Sequence, residues 1–182
     1  SGTVGSINTD SDSSGVNNQS VGTGEAVRSD FVSNLQTAAT TSGLSFANHT
    51  TVTTFSQFIP QVQGSQNNTA SIRVTAILAD NDQVFDNTPV TPEAGETLAT
   101  ITSVRVQDFS TGTFFTFVSG SPTQAGASVV FNADGSVTIS GLHEADPYEI
   151  NTSSPFSAVV VEGNPGTTEF DLGIFSVITI NT

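Results

Sequence analysis

Ser71-Ile-Arg-Val-Thr-Ala-Ile-Leu-Ala79 is the stretch of sequence that decides the fold. Side chains alternate along it, so that one face carries the apolar residues Ile72, Val74, Ala76 and Leu78. This period of two is typical of a β-strand with one face buried. The stretch therefore predicts a strand, and the same pattern extends from it in both directions.

Further strands are predicted wherever short runs of β-branched and aromatic residues lie between Gly, Pro, Asn and Asp turns. They cover residues 52–59, 98–106, 113–118, 127–131, 136–140, 156–162 and 173–180. Residues 131–136 are predicted to form a hairpin loop in which Gly135 takes a positive φ. Only residues 27–39 have a pattern that a helix could adopt. The sequence thus predicts an all-β protein, an antiparallel β-sandwich of roughly eight or nine strands.

The beginning of the chain differs in composition from the rest. Residues 1–24 consist almost entirely of Ser, Gly, Asn, Thr and Asp, which is typical of a flexible arm or linker. We therefore predict a polar N-terminal arm over residues 1–24 and a single β-sandwich domain over residues 25–182. An arm with so little apolar surface needs a metal, its own domain or a neighbouring subunit to order it.

Charge restricts the possible partners. Seventeen acidic residues against three arginines, with no lysine, give a net charge of −14. A chain with so few cations cannot neutralise a phosphate backbone, which excludes nucleic acid and disfavours anionic membrane surfaces. No apolar run reaches the length needed to span a membrane. The absence of cysteine and lysine, together with heavy use of Ser, Thr and Asn, favours an extracellular or cell-surface location.

Catalytic chemistry is poorly provided for. The chain has no Cys, no Lys and no Gly-x-Ser-x-Gly motif for a nucleophile. His49 and His143 lie in polar contexts and are interpreted as surface or turn histidines. A carboxylate pair for glycoside hydrolysis stays possible, but sugar clefts usually use aromatic platforms, and the chain has no Trp and one Tyr. The sequence therefore predicts a protein that is not an enzyme.

Clustered acids are the clearest candidates for binding chemistry. Asp80 and Asp82 follow a predicted strand, and Asp86 comes four residues later. Alternate oxygens in such a turn can converge on Ca²⁺, which takes six to eight oxygen ligands. The same acids could equally be solvated turn residues. Two further acidic groups, around residues 10–12 and 144–149, are weaker candidates.

Two of the three arginines are interpreted as structural residues, in contrast to the acidic residues that are candidates for binding. Arg28 and Arg73 lie in or beside apolar segments, where an unpaired charge is costly. Both are therefore predicted to form structural ion pairs.

Several short motifs, taken together, are similar to one family. They are Ser14-Gly-Val-Asn-Asn-Gln-Ser-Val21, Gly24-Glu-Ala-Val-Arg-Ser-Asp-Phe-Val32, Phe55-Ser-Gln-Phe-Ile59, Ser71-Ile-Arg-Val-Thr-Ala76, Ala79-Asp-Asn-Asp82, Asp134-Gly-Ser-Val-Thr-Ile-Ser-Gly-Leu142, Ser154-Pro-Phe156 and Phe170-Asp-Leu-Gly-Ile-Phe175. The set resembles the repeats-in-toxin-associated domain of very large, type-I-secreted bacterial adhesins. The resemblance implies an extracellular, calcium-stiffened β module and points to Asp80, Asp82 and Asp30 as metal ligands. The chain departs from that pattern in having no lysine and few acidic residues.

Two functional hypotheses follow. The first is a non-catalytic structural or adhesive module of a bacterial surface adhesin, filament or matrix, whose partners are copies of itself or adjacent modules of a larger surface protein. The strand-like C-terminal segment from Ile174 onward suits contacts between sheet edges. The second is a calcium-dependent domain that binds a host peptide or a glycan.

Overall fold

The computed structural model describes residues 7–9, 13–16, 20–34, 46–65, 67–79, 92–108 and 110–179; for residues 7–9, 13–16 and 179 this covers the backbone alone. The strands are β1 (Ile7–Thr9), β2 (Ser13–Val16), β3 (Ala26–Asp30), β4 (Val32–Ser33), β5 (Asn48–His49), β6 (Val52–Phe58), β7 (Ala70–Leu78), β8 (Thr97–Ala99), β9 (Ile101–Asp108), β10 (Thr113–Phe117), β11 (Ser128–Phe131), β12 (Val137–Leu142), β13 (Pro147–Phe156), β14 (Ala158–Gly163), β15 (Leu172–Gly173) and β16 (Phe175–Thr179). No described segment is a helix long and apolar enough to cross a membrane.

Two antiparallel sheets form the body of the protein. One has five strands in the order β10-β9-β13-β6-β16. The other has six strands: the path β11-β12-β7-β14-β3, with β8 pairing beside the end of β7. The all-β, sandwich-like fold predicted from the sequence is therefore confirmed. The predicted number of strands was too low, since several observed strands are only two to four residues long.

The strand β7 that decided the fold lies in the middle of the six-stranded sheet. Ile72, Val74 and Ala76 are fully buried, as their alternation predicts. Leu78 does not follow the pattern and is 37% exposed at the end of the strand. Ile77, which points the other way, is also fully buried and packs against Ala158 in a small second cluster. Burial on both faces near this end explains why the apolar run is nearly continuous there.

Two predictions from the sequence were wrong in this part of the fold. The helix considered for residues 27–39 is contradicted because Ala26–Asp30 forms the strand β3, paired with β14; residues 35–39 lie outside the described part of the chain. The strand β13 was missed altogether, although it lies between β9 and β6. It begins at Pro147 and contains Asn, Thr, Ser and a second proline, a composition that favours turns. Proline is tolerated as the first residue of a strand, and the pairing is irregular between Asn151 and Phe156.

The chain crosses between the two sheets at Ser157, which is fully buried. The Ser157 N–H donates to the Ile77 carbonyl (2.8 Å), and the Ser157 carbonyl accepts from the Phe31 N–H (2.8 Å). Its hydroxyl oxygen accepts from the Ala79 N–H (3.0 Å). All the polar groups of this corner therefore have partners, which is what allows a serine to be buried there.

An aromatic cluster fills the core between the sheets. The Phe31 ring lies 6.1 Å from the Phe55 ring and 6.0 Å from the Phe156 ring, measured between centroids. Phe175 lies 5.5 Å from Phe55, and Tyr148 lies 6.3 Å from it. The same core cluster includes Ile72 and Val74 of β7 and Ile139 of β12, so it unites residues from both sheets.

Part of the polar N-terminal arm lies on the sandwich. The strand β2 pairs with β15, and Val21 forms a bridge with Phe170, with the Val21 N–H 2.6 Å from the Phe170 carbonyl oxygen. Val21 and Phe170 are both fully buried. The domain itself thus supplies a partner for this part of the arm, one of the three alternatives considered for it.

Candidate functional site

The predicted metal ligands fall into two groups. Asp80, Asp82 and Asp86 lie outside the described residues. Asp30 is described, at the end of β3, where its carboxylate accepts hydrogen bonds from Arg28. Among the described residues, no three His, Asp or Glu side chains are grouped so that they could hold a metal ion.

Arg28 lies at the centre of a buried cluster of charges. Its guanidinium Nη2 lies 2.9 Å from Asp30 Oδ1 and 2.5 Å from Glu96 Oε1. The Arg28 side chain is 5% exposed, that of Asp30 is 9% exposed and that of Glu96 is 1% exposed. Burial by itself would lower the pKa of Arg28, but the hydrogen bonds and attraction of Glu96 and Asp30 outweigh it and raise this pKa. The predicted structural ion pair of Arg28 is therefore confirmed.

His49 lies beside this cluster. The interpretation of His49 as a surface or turn residue was wrong, because its side chain is buried. Its side chain is only 4% exposed, and its Nε2 lies 3.7 Å from Asp30 Oδ1. The ring of Phe46 packs edge-on against it, 4.8 Å between centroids. Neither ring nitrogen has a hydrogen-bond partner among the described residues. The side chain of His49 on β5 therefore packs against the end of β3.

The second predicted ion pair is also present. Arg73 Nη2 contacts Asp134 Oδ2, and Arg73 Nε donates to the Ser136 hydroxyl (3.1 Å). Hydrogen bonds from Ser136, together with the charge of Arg73, lower the pKa of Asp134 although its partial burial acts the other way. Gly135 in the same loop has a φ of 89°, so the predicted hairpin with a positive φ is confirmed.

The strand β16 forms the outer edge of the five-stranded sheet. It pairs with β6 along one side, and no strand pairs with its other side among the described residues. Phe175 and Val177 pack against the core, whereas the side chains of Ile174, Ser176 and Ile178 face outward. Ile174 is 74% exposed and Ile178 is 63% exposed, the highest values for large apolar side chains in the described part of the chain. We call residues 174–179 the β16 edge.

Buried hydrogen bonds anchor the chain just before the β16 edge. The Tyr148 hydroxyl donates to Gln57 Oε1 (2.8 Å), and Gln57 Nε2 donates to the Gly173 carbonyl (2.8 Å). Burial raises the pKa of Tyr148, so this hydroxyl keeps its proton. The Phe58 ring covers Gly173 so closely that a Cβ there would lie 2.5 Å from a ring carbon. The position of Ile174 is therefore fixed by its buried neighbours.

Two of the other sheet edges, β10 and β3, are associated with charged side chains. On β10, the exposed ring of Phe114 is covered by the Arg105 guanidinium, 4.5 Å from the ring centroid. On β3, Arg28 and Asp30 bring charge to the strand. The β16 edge, Ile-Phe-Ser-Val-Ile-Thr, contains no charged residue. Lysine, proline and charge are the usual means by which proteins prevent pairing between edges, and the β16 edge contains none of them.

The sequence indicated this strand but not its exposure. Residues 173–180 were predicted to be a strand, and the observed β15 and β16 lie within or beside that range. Which apolar residues are exposed depends on the place of the strand at the end of a sheet, and alternation does not show strand order.

No known family, curated protein or solved structure matches this chain.

Proposed function

We propose that this chain is a non-catalytic, extracellular structural module that assembles by pairing its β16 edge with the same edge of a second copy or of an adjacent module. The observation that carries the proposal is the combination, at the β16 edge, of an open main-chain side and two strongly exposed isoleucines. Unpaired N–H and C=O groups on an edge strand are a template for another strand.

A second copy suits this edge better than a charged partner does. The chain carries a net charge of −14, so two copies repel each other at most surfaces. The uncharged β16 edge lets two backbones approach without bringing like charges together. Two copies related by a two-fold axis also present the same strand to each other, which gives a closed, self-complementary contact.

The wider setting is proposed from composition. A chain without cysteine or lysine that relies on Ser, Thr and Asn for solubility suits a bacterial surface adhesin, filament or matrix. The motif resemblance to the repeats-in-toxin-associated domain of adhesins agrees with this setting and stays a hypothesis.

Size-exclusion chromatography with light scattering tests the proposal. The expected result is a mass above the 18.7 kDa of one chain that rises with concentration. Ile178→Lys should return the protein to a monomer because it places a like charge on both paired strands. Val130→Lys is the matched control, since Val130 is similarly exposed, at 58%, on the edge strand β11 of the other sheet. A monomer at every concentration, or equal effects of the two substitutions, would overturn the proposal.

A further inference from the structure

A polar groove lies on the six-stranded sheet, away from the β16 edge. Its volume is about 450 Å³, within the range of ~300–1,000 Å³ that is usual for small-molecule sites. Its lining comes from β7, β12, β14, the turn that follows β14, and the hairpin loop between β11 and β12. The lining residues are Arg73, Asn132, Thr138, Glu162, Asn164 and Pro165.

The polar side chains of the groove are fixed in position by hydrogen bonds behind it. Asn132 Nδ2 donates to the hydroxyl oxygens of Ser136 (3.0 Å) and Thr138 (3.3 Å). Asn164 Nδ2 donates to the Ser71 hydroxyl (3.2 Å). Asn132 therefore uses both of its amide N–H groups within the protein and Asn164 uses one of its two, and these bonds orient the two amide oxygens.

Unused hydrogen-bonding capacity remains on the groove side. Within the described residues, no donor reaches Asn132 Oδ1, Asn164 Oδ1 or the Glu162 carboxylate. Arg73 bonds through Nε and Nη2, which leaves the two N–H groups of Nη1 as donors. The Thr138 hydroxyl accepts from Asn132, so its own hydrogen is available to donate. The groove thus presents hydrogen-bond acceptors beside hydrogen-bond donors.

We infer that this groove binds a neutral saccharide. A sugar hydroxyl both donates and accepts, so adjacent hydroxyls match a surface where guanidinium and hydroxyl donors lie beside amide and carboxylate acceptors. The ring of Pro165 offers an apolar surface to the C–H face of a sugar. Arg73 is already paired with Asp134, and with Glu162 the three charges sum to −1, which disfavours an acidic sugar. The groove has no aromatic platform among its lining residues, so binding is expected to be weak, with a Kd of about 1 mM or higher.

Nuclear magnetic resonance titration of the ¹⁵N-labelled protein tests this inference. The probes are the methyl glycosides of glucose, galactose, mannose and N-acetylglucosamine, with methyl glucuronide as the acidic comparison. One or more neutral glycosides should shift the side-chain amide signals of Asn132 and Asn164 and the Arg73 Nε–H signal in a saturable way. Methyl glucuronide should bind at least several-fold more weakly.

Two substitutions separate binding in the groove from general effects. Glu162→Gln removes a charged acceptor and should weaken binding about tenfold. Glu144→Gln, in an exposed turn outside the groove, is the matched control and should leave binding unchanged. The inference fails if no neutral glycoside shifts the groove signals, if glucuronide binds equally well, or if Glu162→Gln binds as the wild type does. Because the β16 edge contributes no residue to the groove, none of these outcomes bears on assembly.

Discussion

The Arg28 guanidinium and the Glu96 carboxylate lie 2.5 Å apart, with their side chains 5% and 1% exposed. This ion pair joins β3 to the segment just before β8, and the two segments are far apart in the sequence. Removing one partner of a buried ion pair leaves the other charge buried without compensation, and this usually costs more than the pair contributed.

Arg28→Met should therefore lower the free energy of unfolding by about 3–5 kcal/mol. Both Asp30 and Glu96 would lose their cation, while the similar side-chain volume limits any packing defect. Urea unfolding followed by circular dichroism measures the change. The matched control is Arg105→Met: Arg105 lies 3.6 Å from Glu149 at the surface, so about 1 kcal/mol or less is expected. Equal losses in the two variants would show that the Arg28 cluster is not structurally important.

Gly173→Ala should destabilise the protein by about 1–3 kcal/mol because the new Cβ would meet the Phe58 ring. The measurement is again urea unfolding, and Phe58→Leu in the Gly173→Ala background should recover part of the loss. Gly22→Ala is the control, since a Cβ there would have its nearest neighbour at 3.4 Å. A neutral Gly173→Ala would contradict the close packing of Phe58 on β15.

Calcium bound by Asp80, Asp82 and Asp86 should raise the melting temperature, and excess EGTA should reverse the effect. Asp80→Ala and Asp82→Ala should each abolish that response. Asp30→Asn should instead lower the melting temperature equally with and without calcium, because the Asp30 carboxylate is engaged by Arg28. Differential scanning fluorimetry in both buffers distinguishes these cases. If only Asp30→Asn abolished the calcium response, the metal site would lie at Asp30 and not at Asp80 and Asp82.

Asp134 should make stability depend on pH in the acid range. Hydrogen bonds from Ser136 and the charge of Arg73 lower its pKa in the folded state below the unfolded value of ~3.9. The ionised carboxylate therefore contributes stability above about pH 4, and this contribution is lost as the pH falls through the lower folded value. The difference in unfolding free energy between wild type and Asp134→Asn should be constant near neutral pH and shrink below about pH 4. A difference that stays constant down to pH 2 would contradict this account.

The features that sequence predicted correctly are those determined by local pattern. Alternation gave the strand around Val74, and the cost of burying an unpaired cation gave the ion pairs of Arg28 and Arg73. Gly135 in the hairpin loop followed from its need for a positive φ.

The features that sequence reasoning missed depend on the three-dimensional arrangement. From its sequence, β13 is predicted to be rich in turns. It contains Asn, Ser and Thr, and Pro147 and Pro155 lie near its ends. Glu96 lies 68 positions from Arg28, so no local spacing links them. His49 looks like a surface residue until the pairing of β4 with β5 places it beside Asp30 at the end of β3. The groove around Asn132 and Asn164 likewise forms only after strands from distant parts of the chain are neighbours.

The central claim is that copies pair through the β16 edge, and hydrogen exchange of the β16 backbone amides tests it most directly. The rates are measured by nuclear magnetic resonance across a hundredfold range of protein concentration. The account predicts that amides of β16 not bonded to β6 exchange at least tenfold more slowly at high concentration, while those of the edge strands β10 and β11 do not change. Assembly at high concentration with unchanged exchange along β16 would contradict the account and place the contact elsewhere.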